Sequence, residues 1–302
     1  MRLPRLSPRA YRRITLLALC AQVFITVTGA AVRLTGSGLG CSDWPTCEEN
    51  RLVAPFEYHA MVEFVNRTIT GLVSIAVILA VLGSLVRVPR RRDLTRWSLG
   101  LVAGVIGQIV LGGLTVLFDL KPPFVIAHFA LSIVLVWNAY VLHVRSAHAE
   151  GPALPAVAPV IRRLGRAVVV AAGLTLFTGT IVTGTGPHGG DETVERLPFS
   201  LLTVARLHSF VVWCFLALCV VTLVMLRRRG APRSVDLRAK FLLAAIVVQG
   251  AIGYVQYFTN VPPGLVIVHV FGSVIVWLCA LSFDLSLTAR PLERDDAPAV
   301  AA

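Results

Sequence analysis

The sequence predicts an all-α integral membrane protein whose eight transmembrane helices form two tandem four-helix bundles, related as a parallel repeat. Three observations carry this expectation. A mean hydropathy of +0.77 with 56% hydrophobic residues is too apolar for a water-soluble chain of 302 residues. Eight apolar runs each approach the roughly 20 residues that cross a bilayer as a helix. The chain also repeats itself: Gln108, Gly112, His128 and Ser132 return as Gln249, Gly253, His269 and Ser273, each at an offset of 141 (249 − 108, 269 − 128).

The spans follow in order, and helices are expected because backbone groups in lipid must be satisfied within the segment. The first, near Ile14–Val32, has the basic start of a signal peptide. Its TGAAVRLTG stretch (Thr28–Gly36) returns as TGTIVTGTG (Thr178–Gly186) in the fifth span, which argues that it stays in the protein. The second is expected near Met61–Val86, ahead of the basic loop RVPRRRDLTR, and the third near Trp97–Phe118. The fourth, near Phe124–Leu142, opens after Pro122 and Pro123 and carries His128. Arg162, Arg163 and Arg166 precede the fifth, near Ala167–Thr183. The sixth, near Leu201–Leu226, follows Pro198 and carries His208. The seventh, near Phe241–Phe258, is expected to be the shortest, and the eighth, near Gly264–Leu287, carries His269 behind a second Pro-Pro.

Lys and Arg fall mostly on one side of this arrangement, and Asp43, Glu48, Glu49, Glu57, Asp119, Asp191, Glu192 and Glu195 on the other. The positive-inside rule then places both termini in the cytoplasm of a cell-membrane protein. A net charge of +12 reflects this topology and calls for no nucleic acid. The expected organisation is a first bundle over 1–145, a cytoplasmic linker over 146–165 whose Ala- and Pro-rich part lacks regular structure, a second bundle over 166–290, and a disordered tail over 291–302. An even number of spans per half makes both halves enter the membrane from the same side, so the repeat is parallel.

Three of the seven histidines lie within spans: His128, His208 and His269. A lone intramembrane His often only bonds a neighbouring helix. Three at related depths, roughly 8–9 Å or slightly more inside the outer boundary by helical rise, point to a shared task. Two neutral imidazoles facing each other across a four-helix interior suit a six-coordinate heme. Zinc would want four donors, and Cys20, Cys214, Cys219 and Cys279 lack that spacing. The first half matches His128 to His269, but the partner of His208 is Asn66 (208 − 142), a poor iron ligand. One site is therefore expected to keep a cofactor and the other to leave a coordination position open.

Glu63, Asn66 and Arg67 share one turn at the outer end of the second span. Glu63 and Arg67 read either as an i,i+4 pair or as a carboxylate at the reacting group with a guanidinium on a propionate. Arg33 and Arg206 are further propionate contacts, or side chains that snorkel to the headgroups. The loop between Gly36 and Asn66 is eight residues longer than its duplicate between Gly186 and His208, and the excess accommodates Cys41 and Cys47 on the oxidising side. A disulfide there is either a static staple or a redox pair. His59, two turns outward from Asn66, either caps the pocket or sits at the interface.

Taken together, these residues make the chain resemble the heme A synthase family over nearly all eight spans. The resemblance rests on Thr-Gly-x-x-Val-x-x-Thr-Gly-Ser-Gly from Thr28 to Gly38, Cys-x-x-Trp-Pro-x-Cys from Cys41 to Cys47, Glu-Phe-x-Asn-Arg from Glu63 to Arg67, and the three intramembrane histidines. It implies oxidation of the C8 methyl of heme O to a formyl, giving heme A for a terminal cytochrome oxidase. It implies a heme b held by His208 and His269, heme O contacted by His128, and Glu63 as the essential acid. Implied partners are heme O, the heme O synthase that makes it, the cytochrome oxidase assembly machinery, membrane lipid, and an electron donor on which the sequence is silent. Many family members carry His where Asn66 stands, so here either heme O is not bound by two histidines or the second role passes to water or His59. The alternatives are a quinol-linked di-heme cytochrome b, which would want two bis-His sites, and a parallel-repeat transporter using the histidines as proton relays.

Overall fold

A computed structural model describes residues 5–48 and 53–293. Among them are eight helices, each long and apolar enough to cross a membrane. They are α1 (Pro8–Leu34), α2 (Tyr58–Val86), α3 (Arg92–Leu117), α4 (Pro122–Ser146), α5 (Pro159–Thr185), α6 (Leu201–Arg228), α7 (Arg233–Phe258) and α8 (Pro263–Ser286). Each half closes as a ring in which successive helices pack and the last returns to the first. Within a ring α2 stands diagonally opposite α4, and α6 opposite α8. The halves meet through α1 against α8, α4 against α5, and α4 against α8. Exchanging α1 with α5 and α4 with α8 leaves that set of contacts unchanged, which is the signature of a pseudo-twofold axis.

The duplication extends to backbone detail. Asp119 and Leu120, after α3, have φ of 51° and 54°; Asn260 and Val261, after α7, have 62° and 57° at the same 141-residue offset. The turns close alike, with Leu120 N–H on the Thr115 carbonyl (2.7 Å) and Val261 N–H on Gln256 (2.8 Å). Prolines at the first position of α4 and α8 cost no hydrogen bond, since that N–H has no partner inside a helix.

Most of the helices are longer than their apolar runs, α5 and α7 among them. α5 begins at Pro159, so residues 159–165, expected in the linker, are its first turns. α7 runs 26 residues and is not the shortest: its polar start continues the helix, with Lys240 bound to Asp236 one turn earlier at 2.5 Å. The linker also departs from its expected lack of structure. Leu154–Pro155 (β1) pairs antiparallel with Thr288–Ala289 (β2), and His148 bridges to Leu292. Glu293 pairs with the buried Arg87 and lies 3.8 Å from Arg91. Residues 291–293, expected within a disordered tail, are thus held, because a buried guanidinium requires a counter-charge. The rest of that tail, 294–302, lies outside the described residues. Leu6 N–H donates to Val86, so both described ends lie at the same end of the bundle.

The core is split like the repeat. Tyr11, Leu94, Leu101 and Leu142 centre the first bundle, and Phe215, Leu242, Phe283 and Leu287 the second. Ile133 and Val136 of α4 join the second cluster, and Trp277 of α8 donates to the Ile133 carbonyl at 3.2 Å. Large apolar side chains such as Phe24, Leu72, Phe241 and Phe258 face outward, as a lipid-facing surface requires.

Candidate functional site

In the second half, His208 on α6 and His269 on α8 project from diagonal helices and lie within electrostatic range of each other. Each ring rests on a glycine of the preceding helix. A Cβ added at Gly179 would come 3.3 Å from His208, and one at Gly253 would come 3.0 Å from His269. Thr178 Oγ1 lies 2.9 Å from His208 Nδ1 and 3.0 Å from the Thr175 carbonyl. A hydroxyl that donates to the carbonyl must accept from the ring, so Nδ1 carries the hydrogen and Nε2 keeps its lone pair. On the other side, Gln249 donates to the His269 carbonyl at 2.6 Å.

The first half keeps one side of this arrangement and loses the other. Gln108 donates to the His128 carbonyl at 3.1 Å and to Ser132 at 2.7 Å, and Gly112 underlies the ring at 3.4 Å. Opposite stands Asn66, whose Oδ1 is buried without a partner, as is His128 Nδ1. A Cβ at Gly29, the duplicate of Gly179, would meet nothing within 4 Å. Polar atoms of this kind persist in an apolar interior when a ligand or water completes them.

Glu63, only 6% exposed, accepts from Cys41 N–H at 2.9 Å and from Arg67 Nη2 at 2.6 Å. Arg67 in turn donates to the carbonyls of Thr46 (2.9 Å) and Asp43 (3.1 Å) and lies 5.0 Å over the Trp44 ring. The pair thereby pins the external loop, whose Cys41 and Cys47 are buried and joined in a disulfide. Of the two readings of Arg67, the structure shows the i,i+4 pair with Glu63, and loop carbonyls take further guanidinium hydrogens. Gly40 lets the loop meet α2, since a Cβ there would fall 2.2 Å from the His59 carbonyl. His59 itself is exposed, and Ser37 holds its Nδ1 at 2.9 Å.

The two remaining arginines part company. Arg206 is exposed and contacts no described partner, whereas Arg33 reaches into the second half and donates to the Thr183 carbonyl at 2.6 Å. Arg196, not singled out in the sequence, donates to the same carbonyl at 2.6 Å. In the same loop, hydrogen bonds from Thr193 hold the Asp191 carboxyl below its ordinary range. Thr178 and Trp44 were also missed as site residues. The duplicated Thr-Gly stretch pointed to the first, and only the folded loop reveals the second.

Fold and site define a class: an eight-helix membrane protein of pseudo-twofold symmetry, with a polar diagonal pair inside each half. Comparison with known proteins narrows this. The chain belongs to the cytochrome oxidase assembly protein family (COX15-CtaA), whose model matches residues 12–187, more than half of the chain. It is similar to heme A synthases of Exiguobacterium sibiricum (23% identity, covering 54% of this chain and 56% of that protein) and Lysinibacillus sphaericus (28%, covering 39% and 38%). A heme A synthase of Shouchella clausii matches at 23% identity over 83% of this chain and 88% of its own length. Against most such relatives the chain spans about half of their length or less.

Proposed function

We propose that the chain is a heme A synthase, an oxidoreductase that converts the C8 methyl of heme O to a formyl group. The observation that carries this reading is the inequality of the two diagonal pairs. His208 and His269, one with its tautomer fixed and both seated on glycines, suit permanent bis-imidazole ligation of a heme b. His128 and the unpartnered Asn66 suit a substrate that is held less firmly, taken here to be heme O. An iron porphyrin, when bound, supplies the electron transfer and oxygen chemistry that the amino acids lack.

The residues of the chain then bind and orient. His128, backed by Gln108, would contact the iron of the porphyrin, with Asn66 on the diagonal helix α2. Glu63 and Arg67 fix the disulfide loop over the outer end of that bundle, with His59 beside it, and keep water from the reacting methyl. Glu63 is the acidic group nearest this task. Position more than acid strength decides which substituent reacts. The sites face the outer side of a cell membrane and both termini the cytoplasm, as the basic loops favour. Heme O synthase supplies the substrate, and cytochrome oxidase assembly receives the product. A passive di-heme cytochrome b would want a second imidazole where Asn66 stands.

The test is co-production with heme O synthase followed by extraction of the pigments. Hydroxylated or formylated heme is expected, and bound heme with only unmodified side groups contradicts the enzyme. Glu63→Gln is expected to leave the low-spin absorption intact while lowering turnover about 100-fold, the scale of a lost positioned acid. Normal turnover in that variant removes Glu63 from the reaction and leaves it as a loop anchor.

A further inference from the structure

Arg33 and Arg196 form an unusual pair. Both guanidiniums donate to one acceptor, the carbonyl of Thr183, at 2.6 Å each, and Arg196 also reaches the Gly186 carbonyl. They are close enough to repel each other. The Nε atom of each is buried without a partner. Among the described residues no carboxylate pairs with either: Asp191 is turned to Thr193 at 2.7 and 2.9 Å, and the exposed Glu195 makes no ion pair. Burial accordingly pushes the Arg196 guanidinium below its ordinary value.

The bland explanation is that two arginines cap the C-terminus of α5. A helix end carries only about half a negative charge, so roughly one and a half positive charges stay uncompensated. Two half-buried like charges held on one acceptor, with no carboxylate beside them, point to a counter-ion that arrives with a ligand. The place is also distinctive. Arg33 and Thr183 are repeat mates (183 − 33 equals 178 − 28), so their contact lies on the pseudo-twofold axis between the halves. Thr183 stands five residues above Thr178, about 7.5 Å along α5 from the His208 contact.

We infer that Arg33 and Arg196 form an oxyanion site at the junction of the two bundles, accepting a carboxylate or phosphate that lies against both halves. This deepens the proposed function where the anion is a porphyrin propionate and stands apart from it where the anion is a lipid headgroup. Thr183 and Gly186 take up some of the guanidinium hydrogens, and the remaining hydrogens of these two half-buried side chains are left for the ligand.

The test compares the full-length protein with Arg33→Gln, Arg196→Gln and Arg196→Lys, in nanodiscs of either phosphatidylglycerol or phosphatidylcholine. With heme labelled by ¹³C at its carboxylates, a porphyrin propionate at the site predicts a shifted carboxylate infrared band in both Gln variants and a smaller shift in Arg196→Lys. A headgroup phosphate predicts higher thermal stability of the wild type in phosphatidylglycerol, a difference the Gln variants lose. If the Gln variants lose the same stability in both lipids and the infrared band stays put, the arginines only cap α5 and the inference is overturned. A chain that carries no heme at all defeats the proposed function, while the lipid comparison still decides this site.

Discussion

The hydroxyl of Thr178 has a single hydrogen, and because the Thr175 carbonyl takes it, the contact with His208 makes the imidazole the donor. That one bond leaves Nε2 of an intramembrane histidine with its lone pair free, as the proposed heme ligation requires. Thr178→Val is therefore expected to weaken heme retention by about 1 kcal/mol, the net worth of one hydrogen bond. It should also perturb the low-spin absorption, read on purified protein; a spectrum identical to wild type would mean the tautomer is set elsewhere. The three histidines were legible in the sequence because a titratable side chain in an apolar run is expensive, and His128 and His269 also repeat at one offset. Asn66 was legible by the same alignment. The role of Thr178 was not, since a threonine in a helix ordinarily bonds its own backbone, and only the approach of α6 gives it a second partner. The i,i+4 pair of Arg67 with Glu63 was legible from spacing, whereas its carbonyl acceptors were not, because they sit in a loop whose path no local pattern encodes.

At the scale of elements, the external loop is the part of the first bundle that its duplicate lacks. The Cys41–Cys47 disulfide makes the loop compact, Arg67 ties it by its carbonyls, and Gly40 allows it to lie on the start of α2. Gly40→Ala places a methyl against the His59 backbone, so the loop must lift or α2 must shift. The expected cost is about 1–3 kcal/mol of stability, the usual range for overpacking. A lowered thermal midpoint checks it, and an unchanged midpoint would show that the loop is not seated on the helix. The helices were readable from apolar length, yet their ends were not. Helices α5 and α7 extend beyond their apolar runs because polar and basic residues form helix outside the bilayer as well as apolar ones do within it. The β1–β2 pairing joins residues more than a hundred positions apart, a contact that no window of sequence reveals.

For the whole molecule, the parallel repeat explains why one fold carries two related interiors and why they can diverge. The repeat gives two diagonal pairs, and in the proposed function a single side chain, Asn66 in place of a second imidazole, would separate a retaining site from a releasing one. The account stands on that inequality. Near-infrared magnetic circular dichroism of the oxidised, purified protein tests it most directly, because the charge-transfer band identifies the axial ligand pair. The bis-imidazole band is expected in the wild type, to persist in His128→Ala and Asn66→Ala, and to vanish in His208→Ala and in His269→Ala. A bis-imidazole band that survives loss of His208, or one that disappears with His128, would contradict it.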